Sequence, residues 1–335
     1  MMNVQVRQAG RFISKTFLFL LVLMFIDHGL ARLLDSARPK DYRQFIESKY
    51  AYDSARKYDI IFFGDSHIAD GCVPSVFRES LCVEAFNFGV YHMAPIENYY
   101  LAKDVLSRGG SQPKVVVLGT NPQMFTRQPT AGKYTPFFIR NPFIKAQLLS
   151  WSFDETDLTL LSEVGRRKYL LESLFTKLLS TSTPKLVRII ENVDNGYLQN
   201  VRHMKKPDRS HNWGAGGSQC EQVSSQVEYF SRTIAFLKER GIGVLVVHPP
   251  MYLPVYLRRK DTTMFQEWKR TIDRLCREHN VPIYDPLNEF YLEKFTYDDF
   301  LNGEHLCYSG AVKFSRDLAL WIKTEWYEKR FGSTW

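Results

Sequence analysis

The chain is expected to fold as an α/β protein, three layers deep, around a five-stranded parallel sheet. Three observations point there. Short apolar runs recur within residues 58–63, 83–89, 114–118, 243–248 and 281–286, and most are apolar at successive rather than alternate positions, the mark of strands buried on both faces. Most are separated by segments with helical apolar spacing, and strand and helix in alternation build a parallel sheet with helices on its faces. Finally, the first three runs stop at Gly64, Gly89 and Gly119, each followed within two residues by a polar or aromatic side chain. In open parallel sheets the crevice at the carboxyl ends of the strands is where ligands bind.

The N-terminal region stands apart. Arg7, Arg11 and Lys15 precede the apolar run 16–26, and Asp27, His28 and Arg32 interrupt a weaker continuation to Leu34. From Phe12 to Leu34 the stretch reaches the ~20 residues needed to cross a bilayer. Its positive flank and the lack of a small-x-small cleavage site predict an uncleaved transmembrane signal anchor with the N-terminus inside. A cleaved signal peptide or an amphipathic surface helix is the alternative. The expected layout is residues 1–35 as cytoplasmic tip and membrane anchor, 36–56 as a charged helical stalk, and 57–330 as the α/β domain. That layout implies a single-pass protein of a bacterial-type inner membrane, with the α/β domain extracytoplasmic.

Composition narrows the partners. With 335 residues the chain has room for a substantial core, and its formal charge of +8 permits an anionic partner such as a membrane surface, an acidic glycan or a nucleic acid. Its basic clusters, Arg166-Arg167-Lys168, Lys205-Lys206 and Arg258-Arg259-Lys260, are short and scattered. No nucleic-acid module accompanies them, so they read as solvated charge and no nucleic-acid partner is expected. The five cysteines show no Cys-x-x-Cys or zinc spacing, and Cys72 and Cys82 are a candidate pair in an exported body. Neither a metal nor a cofactor is expected.

Taken in order, the strand of residues 58–63 ends in Gly64-Asp65-Ser66-His67, and the second strand breaks at Gly89. A helix over 94–107 stops at Gly109-Gly110, and the third strand ends in Gly119-Thr120-Asn121. From about 126 to 217 no convincing strand is visible. Helical segments at 143–151, 158–179 and 185–191 suggest an inserted helical subdomain, whose tail, including His211 and Trp213, reads as a lid or as a surface excursion. Alternation then resumes: a helix over 222–240 stopped by Gly241, the strand 243–248 broken at Pro249-Pro250, a helix over 262–279, the strand 281–286 and a last helix from Ser309. Neither a dinucleotide fingerprint nor a phosphate-binding loop follows any strand.

Ser66 is the candidate nucleophile, against the alternative that Asp65 and Ser66 simply cap the following helix. A serine nucleophile needs a base within hydrogen-bond reach, a group that orients the base, and donors for the oxyanion. His305, in the loop before the last helix, can be the base. Gly89 and Asn121 can supply a backbone N–H and a side-chain amide to an oxyanion; a turn glycine, a cap before Pro122 and a surface histidine are the alternatives for these three.

In this order Gly64-Asp65-Ser66, Asn87-x-Gly89, Gly119-x-Asn121 and the His305 block resemble the four blocks of the SGNH (GDSL-like) hydrolase superfamily, whose fold is a flavodoxin-like three-layer sandwich. The resemblance spans about residues 58–330 apart from the insertion. It implies Ser66 as nucleophile, His305 as base, and Gly89 and Asn121 with the Ser66 N–H as the oxyanion hole. The family's aspartate three residues before the histidine is Asn302 here. An asparagine can hold the imidazole tautomer but brings no charge. Three readings follow: a slower or dyad-like enzyme, an acid supplied by Asp298, Asp299 or Glu304, or a degenerate glycan-binding or scaffold subunit. Asp65 is a further supporting candidate. The anchor, Asn87-Phe88-Gly89-Val90-Tyr91 and His305-Leu306-x-x-x-Gly310-Ala311 resemble the membrane-anchored group of D-alanyl transfer and alginate acetylation proteins. That likeness implies a membrane-bound O-acyltransferase as partner and acyl transfer, through Ser66, to a hydroxyl of an extracytoplasmic polysaccharide.

Overall fold

The five expected strands form one sheet. The structure is a computed structural model that describes residues 14–19, 21–23, 25–27, 29–30, 40–126, 138–150, 190–200 and 222–324. β1 (Ile60–Phe63) pairs in parallel with β2 (Ala85–Asn87) and β3 (Val115–Gly119), β3 with β6 (Gly243–Val247), and β6 with β7 (Ile283–Tyr284). The order across the sheet is β2-β1-β3-β6-β7. Counting only the sheet strands, this is the 2-1-3-4-5 arrangement, in which the order of strand addition reverses between β1 and β3. Every residue of β1, β2, β3 and β6 is buried, because helices cover both faces. The helix Pro95–Ser107 packs on Ser224–Lys238, and the last helix, Tyr308–Trp321, packs on Ser66–Gly71 and Pro74–Leu81.

The insertion departs from expectation at one end. Ile190–Asp194 and Tyr197–Asn200 are the antiparallel strands β4 and β5, where the sequence suggested a helix to residue 191. Asn195 (φ 39°) and Gly196 (φ 87°) make the turn, both in the left-handed region that an Asn-Gly hairpin turn demands. The hairpin closes the edge of the main sheet, where Asn87 N–H donates to Asn195 O (2.9 Å). Pro142–Ser150 is helical as expected. The expected helix over 158–179 and the expected lid with His211 and Trp213 lie outside the described residues.

Chain contacts separate one unit, Met1–Arg43 with Phe153–Leu186, from the α/β body of Gln44–Ser152 and Val187–Trp335. In the body, the end of the expected stalk is docked rather than solvated: in the helix Lys40–Tyr50, Phe45, Ser48 and Lys49 are buried. In the expected anchor, the described residues between 14 and 30 are helical and mostly exposed. Among the described residues no helix is long and apolar enough to cross a membrane, and positions 12, 13, 20, 24, 28 and 31–34 of that stretch lie outside them. Cys72 and Cys82 do not pair; both are free thiols, Cys72 buried and Cys82 exposed.

Candidate active site

Ser66 opens a short helix, Ser66–Gly71, directly after β1. Asp65 is its N-cap and accepts from His67 N–H through Oδ1 (3.0 Å). The turn is seated by packing. Ile68 fills a notch made by Gly64 and Gly119, where a Cβ on either glycine would overlap its side chain. Gly89 lies against the helix backbone, and a Cβ there would collide with Ala69 N and come 2.8 Å from Ala69 Cα. Asn87 then ties the helix to β2, donating through Nδ2 to Ile68 O (2.8 Å) and Cys72 O (2.7 Å).

His305 reaches Ser66 from the far end of the chain. Its loop is held by the isolated bridge between Phe300 and Leu306, by Leu301 N–H donating to His305 O (2.7 Å), and by Tyr252 N–H donating to Gly303 O (3.0 Å). Nε2 lies 2.7 Å from Ser66 Oγ, and Nδ1 lies 3.0 Å from Asn302 Oδ1. Asn302 Oδ1 also accepts from the N–H groups of Glu304 and His305, both at 3.0 Å. Those two backbone donors identify the atom as the amide oxygen, so Nδ1 carries the proton toward it. Nε2 is therefore the bare nitrogen facing the Ser66 hydroxyl, which is the tautomer that a general base requires.

Asp65 and Asn121 meet across the β1/β3 switch point. Asn121 Oδ1 accepts from Gln123 N–H (3.0 Å) and Met124 N–H (3.3 Å), which orients its Nδ2 toward Asp65 Oδ2 (2.7 Å). Nδ2 also lies 3.1 Å from His67 Nδ1, which is 3.0 Å from Asp65 Oδ1. The His67 ring stacks on His305, with centroids 4.6 Å apart and planes 24° apart. His67 carries no sequence motif, and only the fold brings it beside His305.

The other predicted groups are placed differently. The Gly89 N–H donates to Asn87 Oδ1 (2.8 Å), and the residue packs closely against Ala69. Asp299 faces away from His305: Thr296 N–H, Ser309 Oγ and Lys313 Nζ surround its carboxylate at 2.9, 3.1 and 2.8 Å. Burial works against its ionisation, but Lys313 and these hydrogen bonds outweigh it and hold the pKa below the ordinary value. Glu304 is buried and paired with the Arg259 guanidinium. Neither acid stands where Asn302 does. His248, at the end of β6, is buried against Trp268, and burial lowers its pKa to about 4. Among the described residues no cluster of three metal-ligating side chains occurs.

No family model and no curated protein matches the sequence. Similar solved structures include a lipase/acylhydrolase from Enterococcus faecalis, 13% identical over 80% of this chain and 97% of that one, with a TM-score of 0.40. A GDSL-like lipase from Bacteroides thetaiotaomicron is 10% identical over 83% of this chain and 94% of that one, with a TM-score of 0.39. An acetylxylan esterase from Geobacillus stearothermophilus, in a catalytic-mutant form, is 10% identical over 80% of this chain and 94% of that one, with a TM-score of 0.40.

Proposed function

We propose that this chain is a serine acyltransferase or esterase, anchored in the membrane, that moves an acetyl-like acyl group onto a polysaccharide hydroxyl through an acyl-enzyme on Ser66. The observation that carries the reading is the continuous chain Ser66 Oγ, His305 Nε2, His305 Nδ1, Asn302 Oδ1, at 2.7 and 3.0 Å. Ser66 Oγ attacks the acyl carbonyl while His305 Nε2 takes its proton. The tetrahedral adduct collapses, and the leaving oxygen receives that proton from His305. An incoming hydroxyl then gives its proton to the same nitrogen, attacks the acyl-enzyme and regenerates Ser66. A sugar hydroxyl makes the reaction a transfer; water makes it hydrolysis.

The extracytoplasmic location and the membrane-bound O-acyltransferase as acyl donor rest on the basic flank and apolar stretch at the N-terminus and on the family resemblance. Assaying the full chain in detergent with an activated acetyl ester tests the chemistry. Turnover is expected to vanish in both Ser66→Ala and His305→Ala, and variants as active as the wild type would leave a non-catalytic scaffold. Adding an O-acetylatable polysaccharide and following labelled acetyl separates transfer from hydrolysis.

A further inference from the structure

Resting on that reading, the question is what aims Ser66. Its helix, Ser66–Gly71, has only six residues, too few to hold a direction through its own hydrogen bonds. At 1.5 Å per residue it spans roughly 7.5 Å, so a tilt of about 8° around its far end moves the nucleophile by about 1 Å. A misplacement of that size can cost on the order of 10²-fold in rate. The glycine notch around Ile68 seats the first turn. The far end is held by residues outside the catalytic set.

Two separate lines reach that end from the helix Lys40–Tyr50. Along the first, Lys49 Nζ donates to Asn87 O (2.7 Å), and the Asn87 amide donates to Ile68 O (2.8 Å) and Cys72 O (2.7 Å), at the end of the helix where intrahelical donors run out. Asn87 has little freedom of its own, since its N–H goes to Asn195 O (2.9 Å) and its Oδ1 accepts from the Gly89 N–H (2.8 Å). Along the second, the Phe45 ring stacks on Tyr91, with centroids 4.6 Å and planes 13° apart, and the Tyr91 hydroxyl donates to Asp70 Oδ1 (2.8 Å), one helical turn beyond Ser66. Phe45, Lys49, Asp70 and Asn87 are all buried, so bulk water does not stand in for these contacts.

We propose that Lys49 and Tyr91 are positioning residues for Ser66, holding the far end of its helix so that Oγ stays in line with His305 Nε2. Neither touches the reacting atoms: Lys49 acts through Asn87, and Tyr91 acts through Asp70. Both lines start on one helix, so Lys40–Tyr50 is part of the site's scaffold and not a spacer ahead of it. Phe45 and Lys49 are four residues apart and share one face of that helix, with Nζ 5.3 Å from the Phe45 ring centroid. Losing either line leaves Ser66 and His305 in the chain but loosens the helix that carries one of them. The signature is a slower bond-forming step at unchanged affinity.

The test is covalent labelling of the full chain by an alkyl fluorophosphonate, in which Ser66 Oγ bonds to phosphorus, fluoride leaves and His305 takes the hydroxyl proton. Its concentration dependence separates reversible binding (KI) from the bond-forming step (kinact). Tyr91→Phe keeps the ring on Phe45 and removes only the bond to Asp70; Lys49→Met removes the bond to Asn87. Each is expected to lower kinact about tenfold and to leave KI within about twofold. Leu237→Ala is the control for lost stability. That side chain is buried just ahead of β6, at the end of the sheet away from Ser66, so the variant should unfold at a lower temperature and label at the wild-type rate. A folded Tyr91→Phe or Lys49→Met that labels as fast as the wild type, a loss confined to KI, or an equal slowing in Leu237→Ala overturns the proposal. Tyr91→Phe preserves the packing and decides the matter alone if Lys49→Met does not fold. Labelling of Ser66→Ala at the wild-type rate would instead sink the acyl-enzyme reading itself.

Discussion

Lys49 offers a prediction with a defined pH signature. Its ammonium is buried in the body, donating to Asn87 O (2.7 Å) and Gly196 O (2.6 Å) with no carboxylate bonded to it in those contacts. Burial lowers its pKa from 10.5 to about 7, against the opposing pull of Asp70 and Cys72. The folded pKa thus lies below the unfolded one. Between pH 7 and pH 10 the unfolded chain holds the proton that the folded chain has shed, so stability rises with pH across this window, and the penalty is complete below it. Integrating one such proton from pH 7 to pH 9 gives about 2 kcal/mol. Lys49→Met removes the titration and takes the lysine's bonds from Asn87 O and from Gly196 O, which keeps Ser48 Oγ at 3.4 Å, a pH-independent cost of about 1–3 kcal/mol. The variant should therefore be less stable than the wild type at pH 9, and the deficit should shrink by about 2 kcal/mol at pH 7. Denaturant unfolding of both proteins at several pH values in that range is the measurement. A deficit constant to within about 0.5 kcal/mol would show that Lys49 is not desolvated as its surroundings imply.

Three further outcomes are expected. Gly89→Ala must push the Ser66 helix away from Ala69; it should cost about 1–3 kcal/mol in denaturant unfolding and about 10²-fold in kcat, and an alanine variant with full activity would show that Ser66 is not positioned by this contact. Asp104 is buried and receives bonds from Arg108 and from the N–H groups of Arg140 and Asn141, so Asp104→Ala should lose about 3–5 kcal/mol by leaving Arg108 unpaired, with no loss if the site is solvated. His248, with its pKa lowered to about 4 by burial, binds no proton when folded while the unfolded chain binds one below about pH 6.5. Wild-type stability should fall by about 3 kcal/mol from pH 6.5 to pH 4, and His248→Leu should flatten that slope; parallel profiles would refute it.

The sheet was legible because β1, β3 and β6 are apolar at every buried position, which leaves few other folds open. Ser66 and His305 were legible as a serine at a strand end and a histidine in the loop before the last helix, and Asn302 through the resemblance to the SGNH blocks. The hairpin Ile190–Asn200 was not, because Ile190-Glu191-Asn192-Val193 lacks clean alternation and only Asn195-Gly196 announces the turn. Lys49 was hidden for a related reason: in a charged helix, a lysine that ends against two carbonyls looks like any solvated lysine. His67 was invisible in a stronger sense. Its meaning depends on a ring 238 positions along the chain, numbered 305 against 67, and no local pattern encodes that meeting.

The three strand-end glycines show how sequence and structure divide one signal. In the sequence, Gly64, Gly89 and Gly119 mark where chemistry gathers, and Gly89 looks like an oxyanion donor. In the structure all three are needed because Ile68 and Ala69 occupy the space of their missing side chains. That close approach lets the first turn of the Ser66 helix sit over the β1/β3 switch point. The Gly89 N–H is then used to hold Asn87, and Asn87 in turn holds the far end of the same helix. In this arrangement the Gly89 N–H is bonded to Asn87 Oδ1 at 2.8 Å. Ser66's own N–H, in the first turn of its helix, has no intrahelical acceptor. Asn121 Nδ2 donates to Asp65 Oδ2 at 2.7 Å and also lies 3.1 Å from His67 Nδ1, so this amide sits beside Ser66 at the β1/β3 switch point.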